Sequence, residues 1–597
     1  MFNIDDEIKR TQIQLQKVIL SNDRIGNAKI MDSVVGVAFF FNNRKNDTII
    51  GWCIFIALCI LFVFLFLIHG KYHKKKEHLE ARCQILKKYS LRSIGKWKEF
   101  EDTGAEYLND NSYLEKDLDI LGERSLFQYL CVANTVQGKR RLAEYLTQHD
   151  VKLKIIKDRA LAVRELIERF EFRLKLETWG YLSKYKMRYK NGNEWYYSFM
   201  GDMETDYTES GLFYNILSFL PLAVLFIFLF VNHKHSNYKL VLFIIILLQM
   251  IISYFISYKH RKTISRMEQF CLGLEDIIGI VECIDEEPFQ SPMLKNLQDE
   301  LNKNVDLMLG IRKLSKIKDR FSIRRNLYIH VFLQMFLMYD LQCINQLKKW
   351  KRDYGKNLKK LFNVIGEVEA LLSLGVIALN REVTFGNVSE NSTPVLFARE
   401  IYHPLIDSEK VVSNSINASK GINIITGSNM SGKSTFVRTI GINLVLAYAG
   451  APVCAKEMKV SLMKIYTCMR VTDDVFQGKS SFYAEVLRIK TIIEAAKSNR
   501  PIFVIIDEIF KGTNSVDRIT GAKEIIKRLN KSHVMLWVST HDVEICSLIE
   551  ENHVQGNNYH FLETYMDNKI QFDYKIKHGK CKTRNAKYIL KMVGVLD

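Results

Sequence analysis

Residues 421–447 read GINIITGSNMSGKSTFVRTIGINLVLA, and no other stretch constrains the fold of this chain so tightly. An apolar run of strand length, 422–425, leads into a loop of small residues, and an apolar helical pattern follows. G-x-x-x-x-G-K-[ST] between a strand and a helix lets backbone N–H groups curl around phosphate oxygens, and the helix start adds its positive dipole end. Gly427, Ser428, Asn429, Met430, Ser431, Gly432, Lys433, Ser434 and Thr435 are thus candidate phosphate-binding residues. In such a loop the lysine, here Lys433, reaches the β- and γ-phosphates, and the Ser434 hydroxyl coordinates Mg²⁺. The expected ligand is ATP with Mg²⁺.

Two further apolar runs end in chemistry. Residues 501–506 form a buried-strand pattern that closes on Asp507 and Glu508. Asp507 suits the Mg²⁺ role and Glu508 the general base that orients an attacking water. Taken alone, such a pair is also a common helix N-cap; its place behind a phosphate loop favours catalysis. Residues 534–538 form the third strand and lead to Ser539, Thr540 and His541, where a histidine can sense a γ-phosphate by hydrogen bonding. Between these motifs, Gly478-Lys479-Ser480-Ser481 opens a helix. Physics leaves two readings of that turn open, an anion site facing another subunit's nucleotide and an ordinary capped helix.

At 597 residues the chain is too long for one core, and 7 prolines with 30 glycines suggest long helices. The net charge of +19 calls for a polyanion or an anionic lipid surface, between which composition does not choose. The 11 cysteines contain no C-x-x-C pair, which fits a reducing compartment. Residues 49–68 carry no charge and, as a helix, span about 30 Å of hydrocarbon before the basic flank Lys71–Lys76. Runs at 212–231 and 240–258 read as a hairpin closing on Lys259, Arg261 and Lys262. Both basic flanks place 71–210 and 260–597 on the cytosolic side of an inner or plasma membrane. The apolar stretch 33–41 is either a short, tilted partner of the first span, leaving the N-terminus cytosolic, or a sign that the N-terminus lies outside. Residues 327–338, with His330 and Gln334, read as a buried core helix.

The order and wording of the motifs resemble the MutS family of mismatch-repair ATPases. TGSNMSGKSTFVRTIG is similar to its phosphate loop, GKSSFYAEV to its signature helix, IIDEIFKGTNSVDR to its acidic strand, and STHDVEI to its switch histidine. His403-Pro404-Leu405-Ile406 resembles the approach to its ATPase domain, and Ser125–Leu130 through Leu142 its helical core. The resemblance implies ATP hydrolysis by Lys433, Ser434, Asp507, Glu508 and His541, with Asn429 near the γ-phosphate and Ser480 acting in trans across a homodimer. Departures are the missing mismatch-reading domain and Phe-x-Glu wedge, the absence of helices after Asp597, and spans that interrupt the helical core, as in a membrane-associated branch.

The expected architecture is an α/β P-loop ATPase domain of ABC/MutS type with a mostly parallel sheet, joined to an all-α core or lever region interrupted by transmembrane helices. Its segments are 1–48, the span 49–69, a first helical part 71–210, the hairpin 212–258, a second helical part 260–395, and the ATPase domain 396–597. The expected activity is a membrane-held, dimeric ATPase that moves helical arms. DNA is one candidate cargo, through Arg312, Lys313, Lys316, Lys318, Arg320, Arg324 and Arg325 and through Lys348, Lys349, Lys351 and Arg352; lipid contact or a solvated helix face is the other reading. An ABC-type transport ATPase and a non-enzymatic membrane scaffold are the alternatives. Gly-Lys-Ser-Ser in place of Leu-Ser-Gly-Gly-Gln, and spans with no polar residues that suggest a translocation path, weigh against transport.

Overall fold

The computed structural model describes the chain except residues 1–3, 47, 110–111, 149, 188–237, 260, 304, 325–326, 420, 429, 471–480, 511–513, 567–568 and 582–597. The expected run at 212–231 and the candidate residues Asn429 and Ser480 lie outside the described residues.

The chain opens with a helical hairpin. Residues 33–41 belong to one continuous helix, Ile4–Asn46, which folds back on the helix Ile49–Ser93. Thr48 caps the second helix by accepting from Gly51 N at 3.3 Å, and its hydroxyl donates to Asn43 Oδ1 at 2.9 Å. Gly51 is required by this approach, since a Cβ there would sit 1.9 Å from Asn43 Oδ1. Phe40 meets Trp52 and Phe55, Lys29 lies 5.6 Å from the Phe66 ring centroid, and Arg82 pairs with Glu7 at 2.8 Å. The first helix therefore returns its start to the level of Arg82. Among the described residues two helical stretches are long and apolar enough to cross a membrane, and their surroundings differ. The apolar window in Ile49–Ser93 is 6% buried, whereas that in Lys359–Asn380 is 89% buried and forms part of the core.

Helices also build the next layer. Phe170–Met187 packs on Arg261–Glu286 and on Ile49–Ser93, and the long helix Tyr339–Leu374 packs on Val136–Thr147 and Val305–Ile323. Buried polar groups pin these contacts. Arg92 donates to the carbonyls of Tyr129 and Cys131 at 2.8 Å, and Tyr89 donates to Glu177 at 2.5 Å. Glu369 accepts from Asn134 N at 3.0 Å and from the Thr135 backbone N–H and hydroxyl. Burial of Glu369 pushes its carboxyl above the usual range, so these donors are what hold it in place.

Residues 327–338 depart from the expected buried core helix. The helix Leu327–Leu337 leaves Ile329, Val331 and Phe332 exposed and packs on the helix Tyr238–Lys259. Gln334 donates to Ser253 at 2.5 Å and to Ser257 at 3.0 Å, while Ser257 donates to Asp340 at 2.8 Å. The run 240–258 thus uses two serines to bind its neighbours. Their hydroxyls are small enough to leave the run's apolar average high.

From residue 384 the chain turns to mixed α/β structure. Strands β1 (Thr384–Phe385) and β6 (Pro452–Val453) form a two-stranded ribbon. Strands β2 (Asn387–Ser389), β3 (Val395–Ile401), β4 (Asn414–Ser419) and β7 (Glu457–Ser461) make a small sheet in the order β2-β7-β3-β4. The main sheet contains β5 (Gly421–Thr426), β8 (Lys464–Cys468), β9 (Ile502–Asp507), β10 (Val534–Thr540), β11 (Gly556–Met566) and β12 (Lys569–His578). Its order is β12-β11-β5-β10-β9-β8, parallel from β8 to β11 with β12 as an antiparallel edge. Alternation divides its side chains between two cores. Ile425, Phe503, Ile505, Met535 and Trp537 face the P-loop helix Lys433–Ala449 and the helical region, whose buried residues form one cluster with them. Ile422, Ile424, Val504, Ile506, Leu536 and Val538 face the helices Ser481–Ala495 and Ser515–Leu529.

The Glu369 network gives a direct test. Glu369→Ala strands three donors and is expected to cost about 3 kcal/mol, whereas Glu369→Gln, which keeps one acceptor oxygen, is expected to cost about 1 kcal/mol. Chemical denaturation of the full chain followed by tryptophan fluorescence checks both, and equal losses would refute the donor count.

Candidate active site

All the parallel strands of the main sheet end on one rim, where loops from adjacent strands meet. The phosphate loop leaves β5 there. Gly427 has φ 146°, and a Cβ on it would lie 2.8 Å from Ser431 Oγ; Gly432 has φ 99° and precedes the helix Lys433–Ala449. Both positions demand glycine, as the motif predicts. Lys433 is 2% exposed, and its ammonium donates at 2.7 Å to the carbonyls of Gly427 and Ser428, curling back over the loop.

The register β9–β10 sets Asp507 beside Ser539. Asp507 Oδ1 accepts from Ser434 Oγ at 2.9 Å and from the Ser539 hydroxyl. A hydroxyl and a carboxylate at the start of the P-loop helix make a hard-oxygen donor pair of the kind that suits Mg²⁺. Glu508 follows at φ 54° with its N–H donating to Ser539 O at 2.9 Å, and Phe510 stands at φ 60°. Two left-handed non-glycine residues within three positions mark a backbone held in a sparsely populated region. His541 follows β10 with its side chain 45% exposed and 3.6 Å from Asp542, which is itself held by Arg518 at 2.9 and 3.0 Å. The structure therefore brings Ser434, Asp507 and Ser539 into contact and sets Glu508 and His541 on the ends of neighbouring strands.

A cavity of about 550 Å³ adjoins the loop, lined by Met430, Gly432, Ser434 and Thr435 together with His403, Val411, Phe561 and Tyr574. Its outer wall is tied to the edge strand, since Asn414 Nδ2 donates to Tyr574 O at 3.0 Å and Ile576 N donates to Asn414 Oδ1 at 2.9 Å. Nucleoside-sized space next to a phosphate cradle is what a bound nucleotide needs. Sequence reasoning did not find Tyr574, Phe561, Val411 or Glu563, whose carboxylate accepts from Ser428 Oγ at 3.1 Å. Phe561 and Glu563 reach the site on β11 and Tyr574 on β12, Val411 comes from the segment before β4, and no local motif marks any of them.

The basic runs are partly neutralised. Lys318 pairs with Glu275 at 3.8 Å, Arg324 lies 2.9 Å from Asp340, and Lys313 donates to Tyr354 at 2.6 Å. What they offer a polyanion is correspondingly less than the count of charges suggests.

Comparisons with known proteins point the same way. The family model described as MutS domain V matches residues 423–596. A protein named DNA mismatch repair protein MutS from Bacillus licheniformis is 31% identical over 249 residues, 41% of this chain and 28% of the relative. Proteins of the same name from Carboxydothermus hydrogenoformans and Staphylococcus aureus are each 28% identical, over 269 and 319 residues. Those matches cover 43% and 50% of this chain, and 31% and 34% of the relatives. The chain thus spans about a third or less of the curated relatives it matches.

His403 in the cavity wall carries a pH signature. Burial lowers its pKa to about 4, Asp119 opposes the shift, and Arg438 and Arg381 add to it. The neutral ring fits its contact, because Nδ1 accepts from Leu405 N at 3.2 Å. With the folded pKa below that of a free histidine, stability is full above pH 6.5 and falls as the unfolded chain takes up a proton. Between pH 7 and pH 5 the loss from this group is expected to be about 2 kcal/mol. Unfolding midpoints of wild type and His403→Gln at both pH values check this; parallel slopes would contradict it.

Proposed function

The chain belongs to the MutS family, and on that premise we propose that it is a membrane-anchored ATPase that binds ATP on its P-loop sheet and couples hydrolysis to movement of its helical arms. The Ser434–Asp507 contact carries this reading, because it joins the phosphate loop to the acidic strand in the way nucleotide hydrolysis requires. Ser434 and Asp507 would hold Mg²⁺, which when bound neutralises charge developing on the phosphates. Lys433 is released from two loop carbonyls to meet phosphate oxygens, so the loop's own carbonyls hold the ammonium until an anion competes. Glu508 takes the general-base role and orients the attacking water, and its left-handed backbone fixes where the carboxylate leaves the strand. His541 follows as sensor of the terminal phosphate. Asn429 near that phosphate and Ser480 supplied in trans within a homodimer complete the family pattern.

The membrane part of the proposal rests on the helix Ile49–Ser93, whose apolar window is almost wholly uncovered and leads into Lys71, Lys74, Lys75 and Lys76. The helix Tyr238–Lys259 adds a second exposed apolar surface, through Ile244, Leu247, Leu248 and Phe255. On this reading the ATPase domain lies in the cytoplasm beneath an inner or plasma membrane, with the helical region interrupted by spans. DNA is the proposed cargo, since the relatives bear the name of mismatch repair proteins. A lipid-facing role for the positive charge is the second reading, favoured by the ion pairs that neutralise part of the basic runs.

ATP turnover by the detergent-solubilised chain tests the enzyme. Glu508→Gln is expected to lower kcat about a hundredfold or more. Duplex DNA is expected to raise the wild-type rate, with binding that weakens steeply with salt. A rate indifferent to DNA, with binding to anionic vesicles alone, would remove DNA and leave the ATPase. Separately, deletion of residues 4–69 is expected to weaken retention in carbonate-washed membranes, and unaltered retention would locate the anchor elsewhere.

A further inference from the structure

The short helix Tyr113–Asp117 of the helical region reaches into the ATPase domain. Asp117 is fully buried and receives three donors: Met469 N at 3.1 Å, Arg470 N at 3.0 Å and Arg488 Nη1 at 3.4 Å. Two residues on, Asp119 binds the Arg470 guanidinium at 2.5 and 3.0 Å and lies 4.0 Å from Arg438 of the P-loop helix. Leu118 between them fills a gap left by a glycine, because a Cβ on Gly441 of the same helix would lie 2.8 Å from it and 3.1 Å from Ile505 of β9.

Helix Ser481–Ala495 carries this contact to the catalytic rim. Positions 482, 485 and 488 lie along one of its faces. Arg488 is bound to Asp117 and stacks 4.0 Å from the Tyr113 ring centroid. One turn earlier, Glu485 accepts from Phe510 N at 2.6 Å, and Phe482 meets the Phe510 ring at 5.2 Å. Phe510 is the second of the two left-handed residues that begin at Glu508. A route therefore runs from Asp117 to Arg488 by hydrogen bond, along one turn of the same helix to Glu485, and by a second hydrogen bond to the backbone two residues beyond the proposed base. The other carboxylate oxygen of Asp117 holds the strand end at Arg470.

We propose that Asp117 is a positioning residue, the joint through which the helical region sets the placement of Glu508. It rests on the ATPase reading above and adds the route by which movement of the arms and hydrolysis are linked. The joint is electrostatically tense rather than inert. Arg438, partly buried and near Arg470, has its pKa lowered first by burial and then by that guanidinium, against the pull of Asp119, Asp507 and Asp117.

Wild type, Arg488→Gln, Glu485→Ala and the double variant, with Asp117→Asn as a fifth protein, provide the test. Kinetic constants are expressed per site able to bind a fluorescent ATP analogue, which removes any misfolded fraction. Arg488→Gln and Glu485→Ala are each expected to lower kcat at least fivefold with KM and analogue affinity within twofold. The double variant is expected to fall no further than the worse single one, since both act through the same helix. Asp117→Asn should match Arg488→Gln if it folds; if it does not, the pair at 485 and 488 decides alone. Unchanged kcat per site, or multiplicative losses in the double variant, would overturn the joint while leaving the ATPase intact. Absence of turnover in wild type would overturn the ATPase reading itself, and the joint with it.

Discussion

All six residues of β5 are buried, with Ile422, Ile424 and Ile425 at zero exposure, and this burial on both faces fixes everything built on the sheet. Each such isoleucine contributes roughly 1.5–3 kcal/mol, so the strand cannot slide or flip without exposing half its apolar set. Lying between β10 and β11, it locks its own register against both. The loop that follows must rise from the rim beside Asp507 and Ser539. The contact of Ser434 with Asp507 is a consequence of strand register before it is a matter of side-chain chemistry.

The same burial erases a clean seam between the helical and α/β parts. One face of the sheet shares its apolar cluster with Leu118, Leu126 and Phe127 from the helical region, and Trp537 packs against Phe436 and Tyr559. A boundary drawn near residue 396 marks a change in secondary structure, not a gap in packing. The charged group at this seam, Asp117, takes two of its donors from the backbone of Met469 and Arg470, which keeps its cost low and its geometry defined.

Much of the site was legible because its parts are local. The apolar runs at β5, β9 and β10 each end in the residues proposed to do chemistry, and the glycines at 427 and 432 occupy positions that require them. Glu563 and Tyr574 were not legible, since a bulged hairpin and a parallel pairing across more than a hundred residues deliver them. The helix Ile4–Asn46 was hidden for another reason. Asn22, Asp32 and Asn43 are buried although polar, so its inward face reads as a solvated one. The exposed apolar residues of Leu327–Leu337 misled in the opposite sense, because hydrophobicity alone does not say which side of a helix is covered. The serines at 253 and 257 that hold it were too small to disturb the apolar average.

The helix Ile49–Ser93 runs for 45 residues without a proline, about 68 Å, and its far end is fastened to the helical region by Arg92. A strut of that length has no hinge of its own. On the proposed anchoring, with residues 49–68 held in a bilayer, tilting of the helical region would swing the membrane end through the lipid, at the cost of moving the bilayer with it. The bilayer would then act as a fixed frame of reference, and two such chains would meet with their sheets already at the same height and facing outward from the same plane. The proposed dimerisation would become a search over position and heading in two dimensions, with the third supplied by the length of one helix.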